Sequence, residues 1–195
     1  MSPRRRFAFA AVVVLTIAGF ATWLLFFKTY HLATVQQGVL YRDGCQKPSE
    51  FVNAINRVKP RTVVSLIDAN ELHDPRKPQF QMEEKLLALH GITLERIPVK
   101  LGGWPTKEDV AKFLEIVKDK NRQPVLVHCA QGVRRTGMMV AAYQEAVMGM
   151  SDAQAKAEIL TFGHSDRTAS DVRRFIEGYD PKTGAVPEGM GQSDE

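Results

Sequence analysis

The chain has 195 residues, of which 44% are hydrophobic and 25% are charged, as in an ordinary globular protein. Its formal net charge is +4, but four of its 26 basic residues (Arg4, Arg5, Arg6 and Lys28) flank one apolar segment, and the rest of the chain balances 22 basic against 22 acidic residues. A neutral main body argues against a broad nucleic-acid-binding surface, so we expect no nucleic-acid partner.

The apolar segment covers residues 7–27 and is interrupted by Thr16, Gly19 and Thr22. A helix of this length spans about 30 Å, which matches the hydrocarbon core of a bilayer. We therefore expect one transmembrane helix over 7–27, preceded by a basic flank at 1–6; a cleaved signal peptide is the alternative. The positive-inside tendency places the N-terminus in the cytoplasm and the domain outside it, in the periplasm if the organism is Gram-negative.

The remaining boundaries follow from composition. Residues 28–34 are expected to be a linker, and residues 35–180 have the length and apolar content of one domain. Residues 181–195 are rich in Gly, Pro and polar side chains with little to bury, so we expect a disordered tail.

Strands and helices alternate along residues 35–180. Apolar and β-branched runs predict strands, and apolar residues at helical spacing predict helices; Thr106 and Asp109 form a capping box at the start of one helix. This order predicts an α/β fold, with a mostly parallel central sheet of about four to five strands flanked by helices. The predicted strands are 35–41 (followed by a turn at 42–44), 62–67, 92–99 and 124–127, and the predicted helices are 50–58, 80–89, one from 106, 136–147, 151–162 and 170–177.

One segment carries a chemical signature. Val127–Gly137 reads Val-His-Cys-Ala-Gln-Gly-Val-Arg-Arg-Thr-Gly and lies between a buried strand and a helix. A glycine-containing loop there can turn backbone N–H groups inward and form an anion nest, backed by the positive end of the helix dipole. The expected phosphate-binding residues are Ala130, Gln131, Gly132, Val133, Arg134 and Arg135.

Four side chains of this segment receive roles. Cys129 at the base of the nest would be a thiolate nucleophile, because inward amides and the helix dipole stabilise its charge. Five residues later, Arg135 offers a planar guanidinium that matches two phosphate oxygens. Thr136 can donate its hydroxyl to the sulfur, and His128 is expected to order the loop by hydrogen bonding. Each residue alone has a plain structural explanation, but the combination is rare by chance.

The run from His128 to Gly137 resembles the active-site loop of protein-tyrosine and dual-specificity phosphatases. The resemblance extends to small bacterial dual-specificity-like members through Leu40–Gly44, Arg61–Leu66, Ile97–Val99 and Pro124–Val127. It implies a dual-specificity-phosphatase-like fold, a phosphocysteine intermediate at Cys129 and phosphate binding by Arg135 and the loop amides. It also implies that no metal or other cofactor takes part.

The family pattern includes an aspartate general acid after the Ile97–Val99 strand, but residues 100–106 contain no acid. The general acid therefore stays unassigned, although capping is the preferred role of Asp109. A leaving group of low pKa, such as a phenolate or another phosphate, needs less protonation. Arg134 would suit a substrate with a second negative charge, unless it points to solvent. The candidate acids are Asp68, Glu71, Glu108 and Asp109, or none of them.

Three functions are compatible with these residues. We expect hydrolysis of phosphate esters in phosphoproteins, by a tyrosine or dual-specificity phosphatase. A phosphatase of membrane lipid phosphates or pyrophosphates is the alternative, because a tether would concentrate it near such substrates. A non-catalytic phosphate-binding module would not need Cys129.

The second cysteine, Cys45, is either a small buried side chain or a thiol that resolves oxidised Cys129 as a disulfide.

Overall fold

A computed structural model of the chain describes residues 3–159, 162 and 166–188. Strands and helices alternate through most of this length, as the sequence predicts. The elements are α1 (Pro3–Phe27), β1 (Ala33–Gln36), β2 (Leu40–Gly44), α2 (Pro48–Val58), β3 (Thr62–Ser65), α3 (Ala69–Leu72), α4 (Pro78–Leu89), β4 (Thr93–Arg96), α5 (Lys107–Lys118), β5 (Val125–Cys129), α6 (Arg134–Ala146), α7 (Asp152–Ile159) and α8 (Asp166–Gly178).

The five strands form one mixed sheet in the order β1-β2-β5-β3-β4. β1 pairs antiparallel with β2, and the other pairings are parallel, which confirms the α/β class. β5 lies in the middle, with Gly44 of β2 opposite Cys129 and Ser65 of β3 opposite His128. The carboxyl end of the central strand, where ligands bind in such sheets, is therefore the position of Cys129.

Two hydrophobic clusters cover the two faces of the sheet. Neighbouring residues of a strand point to opposite faces, and accordingly Val127 and Cys129 belong to one cluster while Leu126 belongs to the other. The first cluster includes α5, α6 and α8, and the second includes α2 and α4. Cys45 belongs to the second cluster, on the face opposite Cys129.

The predicted first strand, 35–41, is in fact two strands. Gly38 adopts a φ of +75° between β1 and β2, so the chain reverses there and the strands pair with each other. Residues 42–44, predicted to be a turn, complete β2, because their backbone pairs with residues 127–129 of β5. This pairing between distant segments leaves no local sign in the sequence.

The predicted membrane span is wrong. Residues 7–27 do lie in α1, but within the part of the chain that the structure describes no helix is long and apolar enough to cross a membrane. A span needs about 20 predominantly apolar residues, and Thr16, Gly19 and Thr22 interrupt the apolar run of this segment. This finding contradicts the transmembrane helix and the membrane localisation expected from it.

The C-terminal segment is described as far as residue 188. Residues 181–184 form a turn, Ala185 bridges Asp180, and Val186 packs against the first cluster. The remainder of the expected disordered tail, 189–195, lies outside the described residues. The domain boundaries at 35 and 180 stay predictions.

Candidate active site

The loop between β5 and α6 has its carbonyl groups turned outward. Residues from other parts of the chain donate hydrogen bonds to four consecutive carbonyl oxygens of this loop, and a fifth is bonded by Arg42 and by the next helix. Because a peptide unit that directs its C=O outward directs its N–H the other way, the loop amides face inward. The bonds are Cys45 N to Cys129 O (3.1 Å), Gln46 Nε2 to Ala130 O (2.7 Å), His31 Nδ1 to Gln131 O (2.7 Å), Arg42 Nη2 to Gly132 O (2.6 Å), and Arg42 Nη2 (3.3 Å) and Gly137 N (2.8 Å) to Val133 O.

Two glycines allow the loop to lie directly on the end of β2. Gly132 has a φ of +67°, and a Cβ there would collide with the backbone of Asp43. A Cβ on Gly44 would lie 2.7 Å from the carbonyl group of Gln131. Both positions therefore require a residue without a side chain.

Cys129 is 3% exposed at the base of this loop. Burial alone would raise the pKa of its thiol, but the Arg135 charge, the hydroxyl and amide of Thr136 and the amide of Val133 together lower that pKa. A thiolate is therefore favoured at this position. The surroundings predicted for a nucleophilic cysteine are present, although its catalytic role stays a prediction.

Arg135 is held in place by Glu71 of α3. The two side chains are almost fully buried, and Glu71 Oε2 and Oε1 accept from Arg135 Nη1 and Nη2 at 2.5 and 3.1 Å. Nη1 also donates to the carbonyl oxygens of Leu66 (3.0 Å) and Val99 (3.1 Å). The guanidinium is thereby tied to the ends of two strands, which fixes its orientation towards the loop.

His128 lies beneath the loop in a fully buried pair with Glu83 of α4. His128 Nε2 is 2.5 Å from Glu83 Oε1, and Ser65 Oγ donates to Glu83 Oε2 at 3.0 Å. Burial disfavours the imidazolium, but the Glu83 carboxylate outweighs it and raises the pKa of His128. The hydrogen bond expected of His128 thus joins β5 to α4.

Arg134 does not point freely into solvent. Its Nε is 2.6 Å from Asp171 Oδ2 of α8, and its Nη2 donates to the carbonyl oxygen of Gly102 at 2.6 Å. Arg134 therefore connects α8 to the loop at 100–105 while lining the same cavity as Cys129.

The candidate acids are placed differently from one another. Asp68 accepts from the amides of Glu71 (2.8 Å) and Leu101 (2.6 Å); partial burial opposes its ionised form, but these bonds lower its pKa. Asp109 completes the capping box with Thr106, as predicted from the sequence. Glu108 is exposed in the first turn of α5. Glu71 is engaged by Arg135, so each described candidate has a structural role or a solvent position.

The loop forms one wall of a cavity of about 330 Å³. A second cleft of about 800 Å³ shares Glu71, Lys77 and Leu101 with it and adds Arg76, Lys100, Asn70 and the acids Asp68 and Asp74. Among the described residues, no group of His, Cys, Asp and Glu side chains is arranged to hold a metal ion. The cavity is lined by Gln46, Glu71, Lys77, Leu101, Gly102, Cys129, Ala130, Gln131, Arg134 and Arg135.

Five residues that surround the loop are absent from the sequence-based site. Their chemical types are ordinary, and their separations from the loop, which range from 45 to 100 residues, leave no spacing signal. Arg42 had a weak signal, because it lies in the Leu40–Gly44 segment of the family resemblance, but no role was attached to it. These residues are His31, Arg42, Gln46, Lys77 and Glu83.

This fold, with a cysteine and an arginine at the two ends of a loop between the central strand and a helix, is characteristic of the protein-tyrosine and dual-specificity phosphatase class. The comparisons narrow the class. The model of one family, described as DSP-PTPase phosphatase fused to NAD+ kinase, matches residues 17–177. The chain belongs to this family.

Curated relatives include proteins with different named substrates. The chain is 28% identical over 149 residues to the inositol diphosphatase SIW14 of Saccharomyces cerevisiae (73% of this chain, 49% of the relative). It is 26% identical over 149 residues to the dual specificity protein phosphatase TpbA of Pseudomonas aeruginosa (72% and 59%). The chain thus spans about half the length of these relatives, and only 6% of a probable chloroplastic NAD kinase 2 from rice, to which it is 34% identical over 61 residues.

Solved structures agree on the fold. The core catalytic domain of SIW14, in complex with citrate, superposes with a TM-score of 0.65 at 25% identity, covering 80% of this chain and 89% of that one. TpbA superposes with a TM-score of 0.61 at 22% identity, covering 80% and 88%. The relatives come from plants, yeasts, a bacterium and a poxvirus, so they do not single out the bacterial members expected from the sequence.

Proposed function

We propose that this protein is a cysteine-dependent phosphatase that works through a phosphocysteine intermediate. The Cys129 thiolate attacks the phosphorus atom, so an S–P bond forms while the P–O bond to the leaving group breaks. Water then attacks the phosphocysteine, releasing inorganic phosphate and regenerating the thiolate. The observation that carries the proposal is the outward orientation of five loop carbonyls around a thiol of lowered pKa.

Arg135 would bind the transferring phosphoryl group through one edge of its guanidinium. Glu71 occupies the edge formed by the two Nη atoms, which leaves the edge formed by Nε and Nη2 for two phosphate oxygens. The inward amides of residues 130–135 would bind the remaining oxygens. Charge that develops on these oxygens in the transition state thus meets donors that are already oriented.

We infer that the preferred leaving group has a low pKa. Among the described residues that line the cavity, Glu71 is the only acid, and its carboxylate is bonded to Arg135. Asp68 is bound by two amides that favour its ionised form. A phenolate or a phosphate can depart with little protonation, whereas an alkoxide cannot. Phosphotyrosine in a phosphoprotein is therefore our first candidate substrate, which agrees with the dual-specificity phosphatases among the relatives.

A phosphoanhydride is the second candidate, favoured by the cleft that continues from the cavity. Arg76, Lys77 and Lys100 line it together with Asp68, Glu71 and Asp74. Arg76 pairs with Asp74 and Lys77 with Glu71, so Lys100 is the cation best placed to bind a further phosphate group. The inositol diphosphatases among the relatives agree with this reading. The alternative of a membrane lipid substrate was based on the predicted transmembrane helix, which the structure does not support.

A turnover panel on the full chain tests these proposals. It comprises an aryl phosphate, phosphotyrosine and phosphoserine peptides and a diphosphoinositol polyphosphate, each with wild-type protein and with Cys129→Ser. We expect turnover of the aryl phosphate and the phosphotyrosine peptide, and a loss of at least about a hundredfold in Cys129→Ser with vanadate binding retained. Binding without turnover by wild-type protein would instead indicate a phosphate-binding module.

Lys100 separates the two substrate candidates. If the cleft binds additional phosphates, Lys100→Ala raises KM for the diphosphoinositol polyphosphate by about tenfold and leaves the aryl phosphate unaffected. Lys85→Ala, on the exposed side of α4, is the matched control. Equal KM values for wild type and Lys100→Ala with both substrates would contradict the diphosphate candidate.

A further inference from the structure

The segment that follows α1 touches the phosphate-binding loop directly. His31 Nδ1 lies 2.7 Å from the carbonyl oxygen of Gln131. Since a carbonyl oxygen only accepts, Nδ1 is the donor. The rings of Tyr30 and His31 stack with centroids 4.2 Å apart, and the amide of Gly44 donates to the carbonyl oxygen of Tyr30 at 2.9 Å. Tyr30 and His31 therefore contact both β2 and the loop that β2 supports.

The same segment is anchored on α2. Lys28 Nζ is 3.2 Å from Glu50 Oε1, and Asn53 Nδ2 donates to the carbonyl oxygen of Lys28 at 2.9 Å. Residues 28–31, which belong to the segment predicted as a linker, are thus bonded to α2, to the end of β2 and to the loop.

The backbone of His31 is unusual. Its φ is +61°, in the left-handed region that non-glycine residues rarely adopt. The surrounding hydrogen bonds compensate for this local cost, and the conformation places the imidazole at the Gln131 carbonyl. Strain held by surrounding contacts next to a site is a reason to look for a role there.

We propose that Tyr30 and His31 are positioning residues for the phosphate-binding loop, acting through the Gln131 carbonyl group. This inference rests on the proposed phosphatase function. The carbonyl oxygens of Cys129, Ala130, Gly132 and Val133 are bound by residues that lie from β2 to α6 along the chain. Among the described residues, the carbonyl oxygen of Gln131 is bound by His31, which precedes β1. With this carbonyl held outward, the next amide, that of Gly132, faces the phosphate. The N-terminal segment thereby completes the site.

Three full-length variants test the role of His31. His31→Gly removes the imidazole, and with it both the hydrogen bond and the stacking on Tyr30, while it relieves the strained φ. His31→Asn keeps a donor near the position of Nδ1, and asparagine tolerates a left-handed φ. His90→Ala is the control, because His90 Nδ1 likewise lies 2.9 Å from a carbonyl oxygen (Leu86), away from the cavity.

We expect His31→Gly to weaken vanadate inhibition and to lower kcat/KM, each by about tenfold, as for the loss of one well-placed hydrogen bond. We also expect the pH midpoint for alkylation of Cys129 by iodoacetamide, followed on the Cys129 peptide by mass spectrometry, to rise by about half a unit. His31→Asn should recover most of each loss, and His90→Ala should match wild type.

Two results would overturn the inference. In one, His31→Gly matches wild type in vanadate inhibition and in the alkylation profile. In the other, His31→Asn is as impaired as His31→Gly, which would assign the effect to ring packing instead of the hydrogen bond. Alkylation of Cys129 needs no turnover, so a wild-type protein without phosphatase activity would refute the proposed function while the alkylation profiles still decide the role of His31.

Discussion

At the scale of single residues, the site depends on how Arg135 is shared between Glu71 and a substrate. Glu71 neutralises and orients the guanidinium in the absence of phosphate, at the cost of burying a charged pair that only good hydrogen-bond geometry can compensate. The carbonyl groups of Leu66 and Val99 supply part of that geometry. The arginine is therefore pre-oriented, which limits the reorganisation needed when phosphate binds.

Arg135→Lys tests this arrangement. A lysine keeps the charge but cannot bond Glu71 and two phosphate oxygens together, so we expect kcat/KM to fall by about a hundredfold or more. Steady-state kinetics with an aryl phosphate would measure it. Arg122→Lys, at a surface pair with Glu95, is the control; a similar loss in both variants, or none in Arg135→Lys, would speak against the proposed role.

Cys45 offers a second test at this scale. Both cysteines are free thiols; burial, together with nearby Glu83 and Asp43, raises the pKa of the Cys45 thiol, and Cys45 lies in the cluster opposite that of Cys129. A protonated thiol is a poor nucleophile. After brief peroxide treatment we expect oxidation of Cys129 with Cys45 unmodified, by non-reducing mass spectrometry. A reversible 45–129 disulfide would show instead that Cys45 resolves Cys129.

The residues that the sequence could identify are those at fixed spacing within one loop. Cys129 and Arg135 belong to a continuous motif whose geometry follows from a strand, a turn and a helix. Glu71, Gln46 and His31 reach the same site from 64 to 100 positions away along the chain. Their contacts are created by the tertiary fold, so no local pattern marks them.

At the scale of elements, the close contact between β2 and the loop decides what the loop can tolerate. Gly132→Ala would combine a strained φ with a collision against the Asp43 backbone. Gly149 has a similar φ of +69° but open space around it, so Gly149→Ala measures the strain alone, about 1 kcal/mol. We expect Gly132→Ala to lose clearly more stability in urea unfolding and most activity. Equal losses would mean that the packing is not tight.

Asp43 of β2 makes stability depend on pH. Both carboxylate oxygens are buried without a hydrogen-bond partner among the described residues, and burial raises the pKa of Asp43 to about 8 despite nearby His128. The folded state therefore retains a proton that the unfolded state has lost above about pH 4. This contribution to stability is complete below that pH and is lost as the pH rises through about 8.

Asp43→Asn removes this titration while keeping the shape of the side chain. Between pH 5 and pH 8, we expect wild type to lose on the order of 4 kcal/mol more unfolding free energy than Asp43→Asn. Urea unfolding at both pH values measures the difference. Parallel pH profiles for the two proteins would show that the Asp43 carboxyl group is not protonated in the folded state.

Elements with a strong local signal were predicted well. The capping box of Thr106 and Asp109 starts α5, and the apolar run before Cys129 forms β5. The division of residues 35–41 into β1 and β2, which follows from the reversal at Gly38, was not predicted. The extension of β2 through Gly44 was not predicted either, because it depends on pairing with the distant β5. The short α3 was also missed, although Asp68 caps it, because four residues are too few for a helical period.

At the scale of the whole molecule, the fold brings the ends of β2, β3 and β5 to one edge of the sheet, where the cavity opens. The α/β class and the position of the site followed from alternating elements and the rule that ligands bind at the carboxyl ends of strands. The membrane prediction is wrong, because no helix among the described residues is long and apolar enough to cross a bilayer; the apolar composition of 7–27 alone does not establish a span. The contacts of residues 28–31 with α2 and the loop could not be read from composition either.

The central claim is that a phosphoryl group passes through Cys129. Rapid acid quenching of the full-length protein during turnover of an aryl phosphate, followed by intact and peptide mass spectrometry, tests it most directly. We predict one added phosphoryl group per chain, located on Cys129 and absent from Cys129→Ser. Sustained turnover with no phosphorylated protein under conditions that trap a phosphocysteine, or with the phosphoryl group on another residue, would contradict this account.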